Sequence, residues 1–434
     1  MTTLNVSDLL NETPNPSLAF DPLHDVLVFD DPATKPTDVL PGGALVDSLY
    51  ITTLEIVTGP QAGHTITLTG DLIPPQLTTA HLDFASGGRW VIGDNKVGTA
   101  NDDLNNTLVG TAQADALAGM GGDDLMKGEG GDDFFYLGAN GPAGHDTVRG
   151  GAGTDTVDCY DALKPVVVNL GAGTLSGGMG TSDSAVLSGI ENFIGGEHAD
   201  KVTGSSADNL LLGGGGGDTI SGGKGADTMQ GGDGNDLYVA SNFAQSIVEA
   251  PDEGKDAIKT ALGAYALPPN VENLSFTGTF GTGTGNTLDN RITGADSLSS
   301  LDGGAGDDTL IGGAGNDTLI GGAGSDVLTG GGGNNVFQFK YTQNQTITDF
   351  HSGTDLLSFD RYQSNYGGIG QVGALSPDKF VSGPGLAPGT GFVYDTTSGD
   401  LYYGAMLAAH LSGAPPLASS DINIITSFVG TGPT

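Results

Sequence analysis

Residues 303–338 read GGAGDDTLI GGAGNDTLI GGAGSDVLT GGGGNNVFQ, four nonapeptides that differ at only a few positions. Few folds accept such a period. A helix is excluded, since each interior glycine costs about 1 kcal/mol relative to alanine and every nonapeptide carries at least three. With the opening glycine as position 1, the pattern is G-G-x-G-x-D-x-U-x, where U is a large apolar residue. Glycine tolerates positive φ and close backbone approach, so the first six residues can turn sharply with carbonyl oxygens facing inward. The last three make a short strand that points U to one face and its neighbours to the other. Two nonapeptides then close one coil of 18 residues, with two thin parallel sheets joined by loops along both edges. A single coil cannot bury its own apolar residues, so coils must stack.

Clear copies begin at Gly119, Gly128, Gly141 and Gly150, then at Gly195, Gly204, Gly213, Gly222 and Gly231, and finally at Gly285, Gly294, Gly303, Gly312, Gly321 and Gly330. Gly141 to Gly195 is 54 residues and Gly195 to Gly285 is 90, both multiples of nine. GIENF at 189–193 also echoes NVENL at 270–274, displaced by 81. The register thus survives two stretches where the motif fades, and both are expected to continue the same coil with degraded loops. Unbroken from 141 to 338, the coil would make 11 turns and a rod roughly 50 Å long. Upstream the phase slips, by a four-residue insertion between Gly128 and Gly141.

The chain has 52 acidic residues against 14 Lys and Arg, a net charge of -38. A surface of that sign repels nucleic acid and anionic lipid, which removes both as default partners. It also resists compaction, so a cation is missing from the sequence as written. Loops 18 residues apart lie above one another, and their position-6 carboxylates and loop carbonyls form an all-oxygen cage. Ca²⁺ takes six to eight oxygens at about 2.3–2.6 Å in flexible geometry, whereas Mg²⁺ demands a tight octahedron. The ligand positions hold no His or Cys, against zinc or copper. The expected pairs are Asp308 with Asp326, Asp317 with Asn335, Asp200 with Asp218, Asp218 with Asp236, Asn209 with Asp227, and Asn290 with Asp308. Asp124, Asp133, Asp146 and Asp155 hold position 6 in the first run, where the insertion leaves their pairing open.

These nonapeptides resemble those of the RTX (repeats in toxins) haemolysin-type family. The resemblance implies an all-β chain: a right-handed parallel β-roll or β-helix solenoid that binds several Ca²⁺ ions. Residues 335–434 resemble the family as well, through NVFQF, TITDFHSGTDLLSFD, FVYDTTSGDLYY and ASSDINIITSF. That stretch looks like the uncleaved C-terminal signal read by a type I secretion channel, and implies a secreted, extracellular protein. It departs from the family where GAMLAAHLSG follows LYY and where the tail VGTGPT follows the last apolar cluster.

Three regions are expected: a β-rich N-terminal head or cap over 1–97, the calcium-binding roll over 98–338, and a C-terminal cap with secretion signal over 339–434. In the head, SLYITTLEIVTG, HTITLTGDL and AHLDFASGGRWVIGD alternate in short bursts and read as strands, and Trp90 reads as cap packing. The preceding Pro- and Asp-rich stretch reads as irregular or extended. MTTLNVSDLLNETPNPSLAF shows neither a basic nor an apolar signal region, so no cleaved leader is expected. No window approaches eighteen apolar residues, so no membrane insertion is expected. The one cysteine, Cys159, forms no intramolecular disulfide and reads as a buried structural thiol.

RTX repeats often accompany an enzyme, but the chain has no H-E-x-x-H and no G-x-S-x-G, and its seven histidines are scattered. The expectation is a non-enzymatic, calcium-folded protein with a structural, cell-surface or adhesion role, whose partners are calcium, the secretion channel, and copies of itself or a surface polymer. Two other readings stay open: a membrane-active accessory, and an enzyme whose site lies in residues 1–97.

Overall fold

The computed structural model describes residues 105–119, 121–137, 144–178, 184–339, 344–360 and 373–425, with the backbone of eight short strands before residue 94. The chain is all-β, with a parallel solenoid of about 13 turns. It divides into two compact units, residues 1–233 with 244–246, and residues 234–243 with 247–434.

In the first unit one stack runs through Arg89–Gly93, Ala116–Ala118, Phe134–Tyr136, Thr156–Asp158, Asn192–Ile194, Leu210–Gly215 and Thr228–Asp233, all parallel. Its register places Leu117, Phe135, Val157, Phe193, Leu211 and Met229 in one column, and all are fully buried. The facing stack holds Thr107–Val109, Leu125–Gly130, His145–Ala152, Lys201–Thr203 and Thr219–Ser221. Arg89–Gly93 pairs directly with Ala116–Ala118 and extends this stack upstream. The head's expected strands appear at Thr53–Ile56, Thr65–Thr69, Thr79–Phe84 and Arg89–Gly93; Ser17–Ala19, Asp25–Phe29 and Val39–Gly42 are also extended. The packing expected of the Trp90 side chain lies outside the described residues.

The first faded stretch corrects the expectation of an unbroken coil. One stack does pass straight from Thr156–Asp158 to Asn192–Ile194. In the other, Val166–Asn169, Thr174–Gly177 and Ser184–Ser188 form an antiparallel meander, which joins the coil by parallel pairing to His145–Ala152 on one side and Lys201–Thr203 on the other. The sequence carries the reason. VVVN-LGAG-TLSG holds no acid to cap a turn, and it alternates on either side of a Gly-rich turn. Asn169 Oδ1 accepts the Ala172 N–H (2.8 Å) and Gly173 takes φ +68°, which reverses the chain within four residues.

In the second unit one stack aligns Tyr238, Ile258, Leu274, Ile292, Leu310, Leu328 and Ile347, and the other aligns Leu301, Leu319, Phe337, Leu357 and Ile422. In the first of these stacks the second faded stretch therefore does continue the coil. The winding also runs past residue 338, through Leu356–Asp360 to Ile422–Ile425. There the antiparallel strands Phe392–Asp395, Asp400–Tyr403 and Met406–Leu411 close it over an aromatic cluster. Phe339 stacks on Phe359 at 4.5 Å, and Phe392 tilts against Phe359 at 4.8 Å and Tyr403 at 5.0 Å.

Candidate metal centre

Every clear repeat buries its position-8 side chain to 1% exposure or less, from Met126 to Phe337. That column fixes where the loops fall. Position 6 follows: Asp124, Asp133, Asp155, Asp200, Asn209, Asp218, Asp227, Asp236, Asn290, Asp308, Asp317, Asp326 and Asn335 are all buried, and Asp146 is half-buried.

The side chains make a ladder. Along the runs Oδ1 of a position-6 residue accepts the backbone N–H of position 6 one turn earlier: Asp218 from Asp200 (2.6 Å), Asp227 from Asn209 (3.1 Å), Asp308 from Asn290 (2.8 Å), Asp326 from Asp308 (3.0 Å) and Asn335 from Asp317 (3.0 Å). Asn209 and Asn290 instead accept the Ser205 and Asn286 N–H of their own loops. Asp218 and Asp236, expected to pair, belong to different compact units. The pairing left open by the insertion is settled by the same bond across 22 residues, Asp146 accepting from Asp124 and Asp155 from Asp133, each at 2.9 Å.

Whether these loops suit a cation depends on the second carboxylate oxygen. Oδ2 of Asp133, Asp155, Asp308 and Asp317 is buried with no hydrogen-bond partner, a costly arrangement for a charged group. Around it lies a small cradle of oxygens. A Cβ added to Gly303 would stand 2.2 Å from Asp308 Oδ2 and 2.4 Å from the Gly321 carbonyl, and one on Gly312 would stand 2.5 Å from Asp317 Oδ2 and 2.6 Å from the Gly330 carbonyl. Position 1 is thus glycine because its Cβ would fill the space between two turns' oxygens. Positions 2 and 4 are glycine for a different reason: Gly322 and Gly324 take φ of +110° and +144°. An enclosed, all-oxygen donor set with an unneutralised carboxylate fits Ca²⁺.

The electrostatics agree. Burial raises Asp133 to about 8, against the pull of the Asp115 N–H and with added repulsion from Asp155 and Asp115. Burial likewise raises Asp308 to about 7 and Asp155 and Asp326 to about 6, and lifts Asp200, Asp227 and Asp317. Without a cation, these acids resist ionising where they stand.

A comparison with known protein families matches the RTX calcium-binding nonapeptide repeat over residues 101–135, 139–158, 187–220, 194–229, 212–242, 284–319 and 302–337. The chain carries RTX calcium-binding repeats. The matches leave out 159–186, which holds most of the meander, and 243–283, the second faded stretch.

Several RTX features escaped the sequence reading. A second ladder runs along the exposed edge at position 5, in the opposite sense: Asp289 Oδ1 accepts the Asp307 N–H, Asp307 that of Ser325, Asn316 that of Asn334, and Asp208 that of Ala226, at 2.7–2.8 Å. The signal was present as the first acid or amide of GDD, GND and GNN. Position-6 roles also fall to Glu191, Asp256, Glu272 and Asp355, whose carboxylates accept from Asp155, Asp236, Asp256 and Asn335 across 36, 20, 16 and 20 residues. At two places an amide nitrogen stands where a cation would: Gln245 Nε2 donates to Asp227 Oδ2 (2.9 Å) and Gln345 Nε2 to Asp326 Oδ2 (3.1 Å). Cys159 is buried, and burial pushes its thiol well above its ordinary value, away from the reactive thiolate.

Proposed function

We propose that this protein is secreted by a type I channel, folds on extracellular Ca²⁺, and serves a structural role at a cell surface or in a matrix. The observation that carries the reading is the column of buried position-6 carboxylates, several with an oxygen that has no hydrogen-bond partner. Such a chain cannot compact well until a cation neutralises it, because metal binding and folding are one equilibrium. Extracellular calcium modules typically work at about 10⁻⁴–10⁻³ M, so the polypeptide stays unfolded for export from a calcium-poor cytosol and folds outside. Residues 1–97 act as head, the repeats as roll, and 339–434 as cap and export signal. No residue is assigned a catalytic role. Among the described residues no helix is long and apolar enough to cross a membrane.

Adding calcium to the purified protein, and to cells that express it, should produce self-association or surface attachment visible by electron microscopy and sedimentation. A protein that stays monomeric and unattached in millimolar calcium overturns the structural role. Removing 339–434 should hold the chain inside the cell; undiminished export overturns the signal.

A further inference from the structure

We propose that Asp236, Glu249 and Asp256 form a three-carboxylate divalent-cation site, built differently from the repeat cradles, that binds Ca²⁺ more tightly than they do. The inference concerns the folded chain alone and holds wherever the protein works.

The sequence holds a substitution that the repeat should forbid. In a regular copy the second residue after the buried strand residue is the position-1 glycine, as Gly303 follows Leu301. The second residue after buried Ile247 is instead Glu249. A side chain at that place would ordinarily strike the loop's own position-6 carboxylate, as the 2.2 Å approach at Gly303 shows. Here the loop is longer: Asp256 lies seven positions after Glu249, where Asp308 lies five after Gly303. The turn from Asp236 to Asp256 grows to 20 residues, and the added length makes room for a glutamate.

The loop is held from several sides. Asp252 adopts φ +67°. The Ala250 N–H donates to Glu253 Oε2 (2.7 Å), and Asn270 Nδ2 donates to the Glu249 carbonyl (2.9 Å). Asp256 Oδ1 accepts the Asp236 N–H at 2.9 Å. The Tyr238 hydroxyl donates to Glu249 Oε1 and fixes the carboxylate's direction.

One oxygen from each of the three carboxylates lies within 4.8 Å of the other two, and all three residues are buried. Glu249 is 8% exposed, and its Oε2 is enclosed with no hydrogen-bond partner. The cradles at Gly303 and Gly312 present one carboxylate oxygen and a carbonyl of the next turn, whereas this site presents three carboxylates. Carboxylate oxygens at that spacing suit a hard cation, and ligand charge count is what raises calcium affinity from site to site.

The test uses the full-length protein, stripped with chelator and titrated with CaCl₂ by calorimetry and with TbCl₃ under excitation of tyrosine. In the wild type, one equivalent should bind at least about tenfold ahead of the rest, and its terbium emission should be sensitised, because Tyr238 touches a ligand. Glu249→Gln, nearly isosteric, should lose that equivalent and leave the remaining ones unchanged. Tyr238→Phe should keep the ion count but remove the tyrosine-excited emission of the first equivalent. Glu249→Gln binding the same number of ions with the same affinities overturns the proposal and assigns the cluster a shared proton instead. Should that variant fail to fold, Tyr238→Phe decides: unchanged emission from the first equivalent overturns the proposal.

Discussion

The two faded stretches keep the nine-residue register by different means. Between Gly150 and Gly195 the chain leaves one sheet, makes an antiparallel meander and returns. Between Gly231 and Gly285 it stays in the coil, but with a turn of 20 residues from Asp236 to Asp256 and one of 16 from Asp256 to Glu272, whose errors cancel. The contrast shows what specifies the fold. A multiple of nine reports only that later coils resume in phase. What makes a segment wind is a loop able to take positive φ and a carboxylate able to cap the turn before it. Asp252 and Asp256 supply both in the second stretch, and nothing in VVVNLGAGTLSGG supplies the carboxylate in the first.

The contrast separates metal-limited from packing-limited regions, and chelation should split them most widely. With EDTA the repeats should lose most of their β circular dichroism, since buried acids and a net charge of -38 remain uncompensated. A spectrum unchanged after exhaustive chelation would break the distinction.

Smaller effects should follow from single residues. Asp317→Ala and Asp326→Ala should each raise the calcium concentration at the folding midpoint. Leu175→Ala in the meander, a buried side chain, should cost roughly 2–4 kcal/mol in calcium-saturated protein and move that midpoint little. Parallel calcium titrations and thermal melts of the three variants provide the check.

Acidity should act with opposite signs with and without the ion. A carboxylate with a raised folded-state value destabilises the metal-free fold fully above that value, and the penalty vanishes below the ordinary value of about 3.9. Asp133 at about 8, Asp308 at about 7, and Asp155 and Asp326 at about 6 therefore place the window between about 4 and 8. In chelator, lowering the pH through it should compact the chain; in calcium, the same change should weaken the fold by protonating ligands. Sedimentation across pH measures both. The smallest expected change is at Gln345→Glu, which replaces the amide donor on Asp326 with a carboxylate and should add one bound calcium by calorimetry.

The coil itself was legible in the sequence because the buried column and the position-6 ladder repeat every 18 residues. Phase arithmetic could not expose the meander, since strands leaving and re-entering a sheet can still total a multiple of nine. Asp256 shows the same limit: counting by nines from Gly231 puts it at position 8, the buried strand place, and only the lengthened loop moves it to the ligand position. The same count puts Gly283 at position 8, where an apolar side chain belongs, and the space is filled from elsewhere: a Cβ there would meet Phe276 at 3.0 Å. Such substitutions between neighbours in space leave no periodic trace.

The opposed ladders give the winding a grain. In the ladders the position-6 side chains reach back toward the N-terminus, while the position-5 side chains reach forward. A cut through the stack would therefore bare two faces that match each other and not themselves. Any two such stacks meeting end on would have to join nose to tail.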